Sequence, residues 1–407
     1  MTLPISRRIA LTGLAGMSAA ALASCGGVTD PGRGRPSAAI DPLADPPPPP
    51  ASPAPPPAAG PTIGTGNVKV ALVLPLGGTG QAASAAASLR NAADLAISEF
   101  QNPDVTILVK DDRGTADGAR EAATAALAEG AELVLGPLFA PAVAATGTVA
   151  RGQNRPVIGF STDASVASRG VYLLSFLPQN EVERVLDYAA GQGRRSFAAL
   201  VPDTTYGSVV EGAFREAAAR RGVRVAGLER YPPGQPAASV TRLQPLFSGQ
   251  IDAILIPAPG DDLPAIGSAL QGAGFSASRI KPLGTGLWND PRVAGIPAIQ
   301  GGWFASPDTA GYTAFAGRYR TRFGSDPTRI ATLAYDGVSL AAALARTQGP
   351  ARYSEASLLS PMGFAGVDGV FRFRPDGTNE RALAVNEVRG EGPVAVSPAP
   401  KAFGSAG

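Results

Sequence analysis

The sequence predicts an α/β protein built from two doubly wound parallel-sheet lobes. Three observations lead there. Apolar runs such as Val68-Lys69-Val70-Ala71-Leu72-Val73-Leu74 are nearly continuous, the mark of strands buried on both faces. Alanine-rich stretches with apolar residues at helical spacing lie between these runs. The same alternation restarts near Gln179 with no fixed repeat period, so right-handed crossovers should build a second sheet like the first. Such sheets bind ligands outside the carboxyl ends of their strands.

The amino-terminal residues 1–24 read as an export signal. Arg7 and Arg8 precede an apolar run from Ile9 to Leu22, which at roughly 14 residues is shorter than the about 20 that a membrane-spanning helix needs. The run ends in Leu22-Ala23-Ser24-Cys25-Gly26, which resembles a lipobox. That resemblance implies acylation of Cys25, cleavage just before it, and attachment to a bacterial membrane through lipid alone. Gly26 stands where enterobacterial lipoproteins retained in the inner membrane carry aspartate, so the outer membrane is favoured. Ser6-Arg7-Arg8 is similar to part of a twin-arginine signal but Ala10 replaces the usual aromatic residue, which leaves the export route open.

Residues 25–66 then read as a disordered tether. Of the 21 residues from Asp41 to Pro61, 11 are proline, a composition that favours polyproline II. At about 3.1 Å per residue such a spacer could reach on the order of 100 Å. It either lifts a domain clear of lipid or lets it reach a distant partner.

From Val68 the elements follow in order. A first strand, Val68–Leu74, ends at Pro75 and a glycine-rich loop, and Leu89, Ala92, Ala93, Ala96, Ile97 and Phe100 mark the first helix. Strands are expected at Val105–Val109, Leu133–Leu135 and Val157–Gly159. In the second set, Val182, Val185, Leu186 and Ala189 mark a helix and Phe197–Val201 a strand. Val210, Ala213, Phe214 and Ala217 mark another helix, with strands at Val223–Gly227 and Ala253–Ile256.

Composition narrows the chemistry. The 407 residues include no histidine and one cysteine, which excludes histidine-activated nucleophiles, an internal disulfide and a Cys-x-x-Cys redox pair. A net charge of +2 gives no nucleic-acid footprint. Gly78-Thr79-Gly80-Gln81-Ala82-Ala83 fits a dinucleotide fingerprint, but three residues separate it from the strand and the acids Asp111 and Asp112 lie too far on. An exported protein also has no ready supply of that cofactor. The stretch reads better as a flexible loop at a cleft mouth, with Thr79 and Gln81 as lining residues. Asp111-Asp112 and Asp261-Asp262 are adjacent pairs that suit caps and turns better than acid–base work, and Asp376-Gly377 suits a hairpin turn. No Walker A, EF-hand or G-x-S-x-G sequence occurs. No enzyme activity, cofactor or metal is expected.

A family resemblance rests on five stretches. Gly136-Pro137-Leu138, then Pro156-Val157-Ile158-Gly159-Phe160-Ser161-Thr162, resemble periplasmic binding proteins of the leucine/isoleucine/valine type. Asp203-Thr204-Thr205-Tyr206-Gly207 is similar to that family's D-x-x-Y-G, Tyr335-Asp336-Gly337 to its Y-D-A, and Phe371 with Gly377 to its closing hairpin. The resemblance implies a type I clamshell whose lobes are joined by three crossing segments. Lobe I would combine 67–177 with 306–361, lobe II 178–304 with 362–393, and 394–407 would be a disordered tail. It further implies a cleft lined by Phe139, Ser161, Thr162, Tyr206, Thr285, Trp288 and Asp336. Family hydroxyls after Gly-Pro are replaced here by Phe139-Ala140-Pro141, and the acid that commonly answers an α-ammonium by Thr285-Gly286-Leu287-Trp288, with Asp290 displaced. An unpaired buried ammonium is costly, so this pattern suits a free amino acid poorly.

The lipobox, the stalk and the runs Gly284–Trp288 and Gly301–Phe304 resemble one branch, the penicillin-binding protein activator lipoproteins. That branch implies a peptidoglycan synthase as partner. The alternative is a solute-binding subunit that serves an ABC permease and takes branched-chain amino acids, amides or related small molecules. Both readings place the domain in the periplasm, and neither calls for nucleic acid.

Overall fold

A computed structural model describes residues 61–404. The expected signal segment, Cys25 and most of the expected tether fall outside the described residues. The first lobe is laid down as β1 (Thr62–Ile63), β2 (Val68–Leu74), α1 (Gly80–Glu99), β3 (Val105–Asp111), α2 (Ala116–Ala128), β4 (Leu133–Leu135), α3 (Ala140–Arg151), β5 (Val157–Gly159) and β6 (Val171–Leu173). The second runs through α4 (Pro178–Gly191), β7 (Ser196–Pro202), α5 (Thr205–Arg221), β8 (Arg224–Tyr231), α6 (Ala237–Leu243), β9 (Ala253–Leu255), α7 (Leu263–Gly272), β10 (Lys281–Gly284) and β11 (Trp303–Ser306). The chain then returns through α8 (Thr309–Phe323), α9 (Ala331–Thr347), α10 (Glu355–Leu358), β12 (Phe364–Gly366), β13 (Gly369–Phe373) and β14 (Asn379–Arg381), and ends in β15 (Ala384–Glu387) and β16 (Val394–Ser397).

Two twisted sheets result, in the orders β1-β3-β2-β4-β5-β6 and β16-β15-β11-β10-β9-β7-β8. Strands β2 to β6 pair in parallel, as do β7 to β11. The runs without alternation are indeed buried on both faces: six of the seven residues of β2 are fully buried. In each sheet the strand order reverses beside one central strand, β2 or β7, which opens a crevice at the carboxyl ends. The chain passes between lobes at 174–177, 307–308 and 382–383, so the three crossing segments are present.

Four boundaries differ from the expectation. Thr62 and Ile63 pair antiparallel with Leu108 and Ile107, so part of the assigned tether is an edge strand. Two residues are too few to show periodicity. Strand β8 extends four residues past Gly227 to Tyr231.

The hairpin segment assigned to lobe II belongs with lobe I. Strands β12 to β14 form their own three-stranded sheet, and Phe371 and Phe373 join the same apolar core as Leu72, Leu135 and Tyr172. The aromatic side chains of that sheet are the cause, since Phe373 lies 5.3 Å from the ring of Tyr172. Only β15 and β16 complete the second sheet.

The tail expected to be disordered from 394 is also structured. β16 pairs with β15, and further on Phe403 is buried beneath the guanidinium of Arg372, 4.5 Å from its ring. An unpaired edge at β15 and an apolar patch on the hairpin sheet give these residues somewhere to bind.

Candidate ligand-binding site

The carboxyl ends of β5, β7, β10 and β11 converge on a crevice between the two sheets. Two adjoining cavities of about 350 Å³ and 390 Å³ occupy it, and both are lined by Thr162 and Phe176. Lobe I contributes Thr162 and Arg329 to the first, with Phe176 and Pro307 on crossing segments; lobe II contributes Pro178, Glu181, Tyr206, Gly286, Leu287, Asn289 and Ser306. Leu138, Phe139, Phe160, Ser161 and Ile330 line the second, all from lobe I.

Ser161 and Thr162 follow β5 after Phe160, where the strand end hands its hydroxyls to the crevice. The Ser161 hydroxyl accepts from the Asp163 N–H at 3.1 Å, which leaves its own proton to donate. Tyr206 sits in the first turn of α5, whose start is capped by Thr204 accepting from the Gly207 N–H. The Tyr206 hydroxyl lies 2.8 Å from Thr285 Oγ1, and burial pushes the phenol well above its ordinary range. Thr285 is itself fully buried, so it braces Tyr206 from behind. Tyr206→Phe is expected to leave the Thr285 hydroxyl without a partner and to cost about 1–2 kcal/mol, read as a lower midpoint in urea unfolding.

Two charged residues in the crevice were not expected from sequence. Glu181, in the first turn of α4, accepts the Gly286 N–H at 2.9 Å through Oε2. Gly286 leaves room for this carboxylate, since a Cβ there would lie 2.6 Å from Glu181 Oε1. Burial pushes the Glu181 carboxyl up to about 7, against the opposing pull of the Gly286 N–H and the Arg329 charge. Arg329 faces it from lobe I. Its guanidinium donates to both oxygens of buried Asp368, at 3.1 and 2.6 Å, and stacks 4.6 Å from the rings of Phe176 and Tyr312. In sequence Glu181 reads only as a helix-start acid, and Arg329 carries no motif at all.

The remaining expected residues divide. Phe139, Ser161, Thr162 and Tyr206 line the cavities, with Phe139 38% exposed at the lip. Trp288 does not. Its neighbour Leu287, 39% exposed, faces the crevice, while Trp288 is 1% exposed in the lobe II core beside Phe304. The 3-10 turn at Gly286–Trp288 folds the indole back over Gly284, which has no room for a side chain. Asp336 is also buried, accepting the Val367 N–H at 2.8 Å under the β12–β13 hairpin, and holds the fold there. Thr79 and Gln81 are exposed at the start of α1 and line neither cavity. Asp290 is tied to Arg292, whose hydrogen bonds hold it below the usual carboxylate range. Among the described residues no cluster of histidine, cysteine, aspartate or glutamate could hold a metal.

A family model described as periplasmic binding protein matches residues 67–393. Solved structures share the fold. One is a Rhodospirillum rubrum protein assigned to a branched-chain amino acid ABC transporter, with 25% identity and a TM-score of 0.71 over 81% of this chain and 99% of that one. Another is the branched-chain amino acid substrate-binding protein LivJ of Streptococcus pneumoniae in complex with isoleucine, with 19% identity and a TM-score of 0.56 over 82% and 99% of the two chains. A third is a solute-binding protein of Rhodopseudomonas palustris in complex with 3,4-dihydroxybenzoic acid, with 20% identity and a TM-score of 0.56 over 82% and 96%. No curated protein matches the chain.

Proposed function

Because the chain belongs to the periplasmic binding protein family, we propose that it captures a small carboxylate-bearing solute between its lobes and delivers it to an ABC permease. One observation carries this reading: the first cavity is walled by both lobes and presents Arg329 and the Thr162 hydroxyl from one and Glu181 from the other. A ligand touching both walls would hold the lobes together, which is how hinge-bending receptors report occupancy. The relatives bound to isoleucine and to 3,4-dihydroxybenzoic acid hold ligands that share a carboxyl group. The work is recognition, since these relatives are binding proteins and not enzymes. Family membership places it in the periplasm, and Cys25 would supply a lipid anchor there. The relatives named above are transport proteins, and none favours the activator branch or a peptidoglycan synthase partner.

Glu181 changes the expected ligand chemistry. The acid missing at Thr285–Trp288 is replaced by one from α4, held against Gly286 in that same turn. The cleft can therefore answer an ammonium group after all, and a zwitterion fits its two walls. Calorimetry on the full chain, with branched-chain amino acids, amides and aromatic carboxylates, is expected to find one-site binding. Glu181→Gln should weaken amino-acid binding by roughly 10–100-fold, the value of a charge-assisted hydrogen bond, and leave benzoate binding unweakened. No binding across the panel, together with stimulation of a purified peptidoglycan synthase, would instead establish the activator reading.

A further inference from the structure

Lobe I carries a second cavity at the opposite ends of its strands. It measures about 580 Å³, larger than either cavity of the crevice, and lies where β5 and β6 begin, between the end of α3 and the start of α10. Its floor is apolar: Val171, Tyr172, Tyr353 and Leu358 are all buried. Tyr353 spends its hydroxyl on the Ala341 carbonyl at 3.0 Å, so its polar tip is already satisfied. The α3 residue over this floor is Gly147, where a Cβ would come 2.7 Å from Val171 Cγ2.

The rim is basic. Arg151, Arg155 and Arg169 line it, with one acid, Glu355. Glu355 is engaged by Arg169 through both oxygens, at 2.7 to 3.1 Å. Among the described residues, Arg151 and Arg155 are exposed and have no ion pair, whereas most arginines there have one. An apolar floor with a few charged groups at the mouth is the usual make-up of a small-molecule site, and this volume lies within the usual range.

We propose that this cavity binds an amphipathic anion, a short hydrocarbon body on the Tyr172–Leu358 floor with a carboxylate or phosphate head between Arg151 and Arg155. The geometry makes it independent of the crevice, because the strand ends that form the two sites are opposite. Such an ion could reach the site from solution or from a lipid surface, and its head-group chemistry is the same in both cases.

The test is calorimetry of octyl phosphate on the full chain, with hydrogen exchange to locate it. Expected are one-site binding, protection of residues 151–156 and 168–172, and at least tenfold weaker binding in the Arg151→Ser/Arg155→Ser pair. The Arg151→Lys/Arg155→Lys pair should recover most of the affinity, which separates loss of charge from loss of fold. Flotation with phosphatidylglycerol vesicles distinguishes the sources: capture in addition to octyl phosphate binding, lost in the serine pair, identifies a lipid. Absence of octyl phosphate binding, equal binding by the serine pair, failure of the lysine pair to recover, or protection confined to residues 161–162 and 206 each overturns the proposal.

Discussion

Trp288→Ala is expected to lower the stability of the protein by about 3–5 kcal/mol, the cost of removing a fully buried aromatic side chain and leaving its cavity. Trp288 lies in one apolar core with Phe304, Ile254, Ile299 and Val293, and its ring closes over Gly284 at the end of β10. Its Nε1–H has no hydrogen-bond partner, so the contribution is packing. The effect should reach the crevice as well. Gly286, Leu287 and Trp288 share one 3-10 turn, and Gly286 supplies the N–H that holds Glu181. A turn released from its anchor would free Glu181, so solute affinity should fall with stability. Urea unfolding measures the first effect and calorimetry the second. An unchanged midpoint would mean that the indole is not packed as described.

The second large effect is on pH dependence. Asp336 is pushed up from the ordinary 3.8 to about 7, chiefly by burial, while the charge of Arg381 and the Val367 N–H pull the other way. Its Oδ2 has no partner, and both terminal nitrogens of buried Arg381 lack one too. The folded protein thus binds a proton at this site that the unfolded chain releases above about pH 4. Stability from this group is therefore greatest below pH 3.8 and declines as pH rises to about 7, after which it is level. At about 1.4 kcal/mol per unit, the loss is on the order of 4 kcal/mol. Asp336→Asn keeps an acceptor for Val367 and cannot ionise. The difference between wild type and variant in unfolding free energy should tilt across that window and run flat above it. A difference independent of pH would remove the account.

Much of the fold is legible in the sequence. Val68–Leu74, Leu133–Leu135 and Val157–Gly159 are strands as expected, because an unbroken apolar run in a chain of strand–helix units has few other ways to be buried. Less of the site is. Ser161, Thr162 and Tyr206 sit next to motifs that mark strand ends and helix starts, so local pattern finds them. Leu287 and Trp288 are adjacent on one turn, and which of the two enters the core depends on Gly284 and Phe304 packing from elsewhere. Glu181 and Arg329 lie 148 positions apart in number and meet only through the return of α9 to lobe I. Such pairings belong to topology, and no local window contains them. The hairpin sheet was misplaced for the same reason: its aromatic residues choose between two lobes that the sequence does not rank.

The last structured residues bear on how far the molecule can open. β16 belongs to the second sheet, while Phe403 is seated on the hairpin sheet of the first. Between Ser397 and Phe403 lie five residues, which reach about 20 Å at full stretch. This is a fourth strap across the gap, fastened by a single aromatic plug under Arg372. Should the lobes swing on the other three links, this one would bound the width to what five residues span, and Phe403→Ala is expected to release that bound without altering a crevice residue.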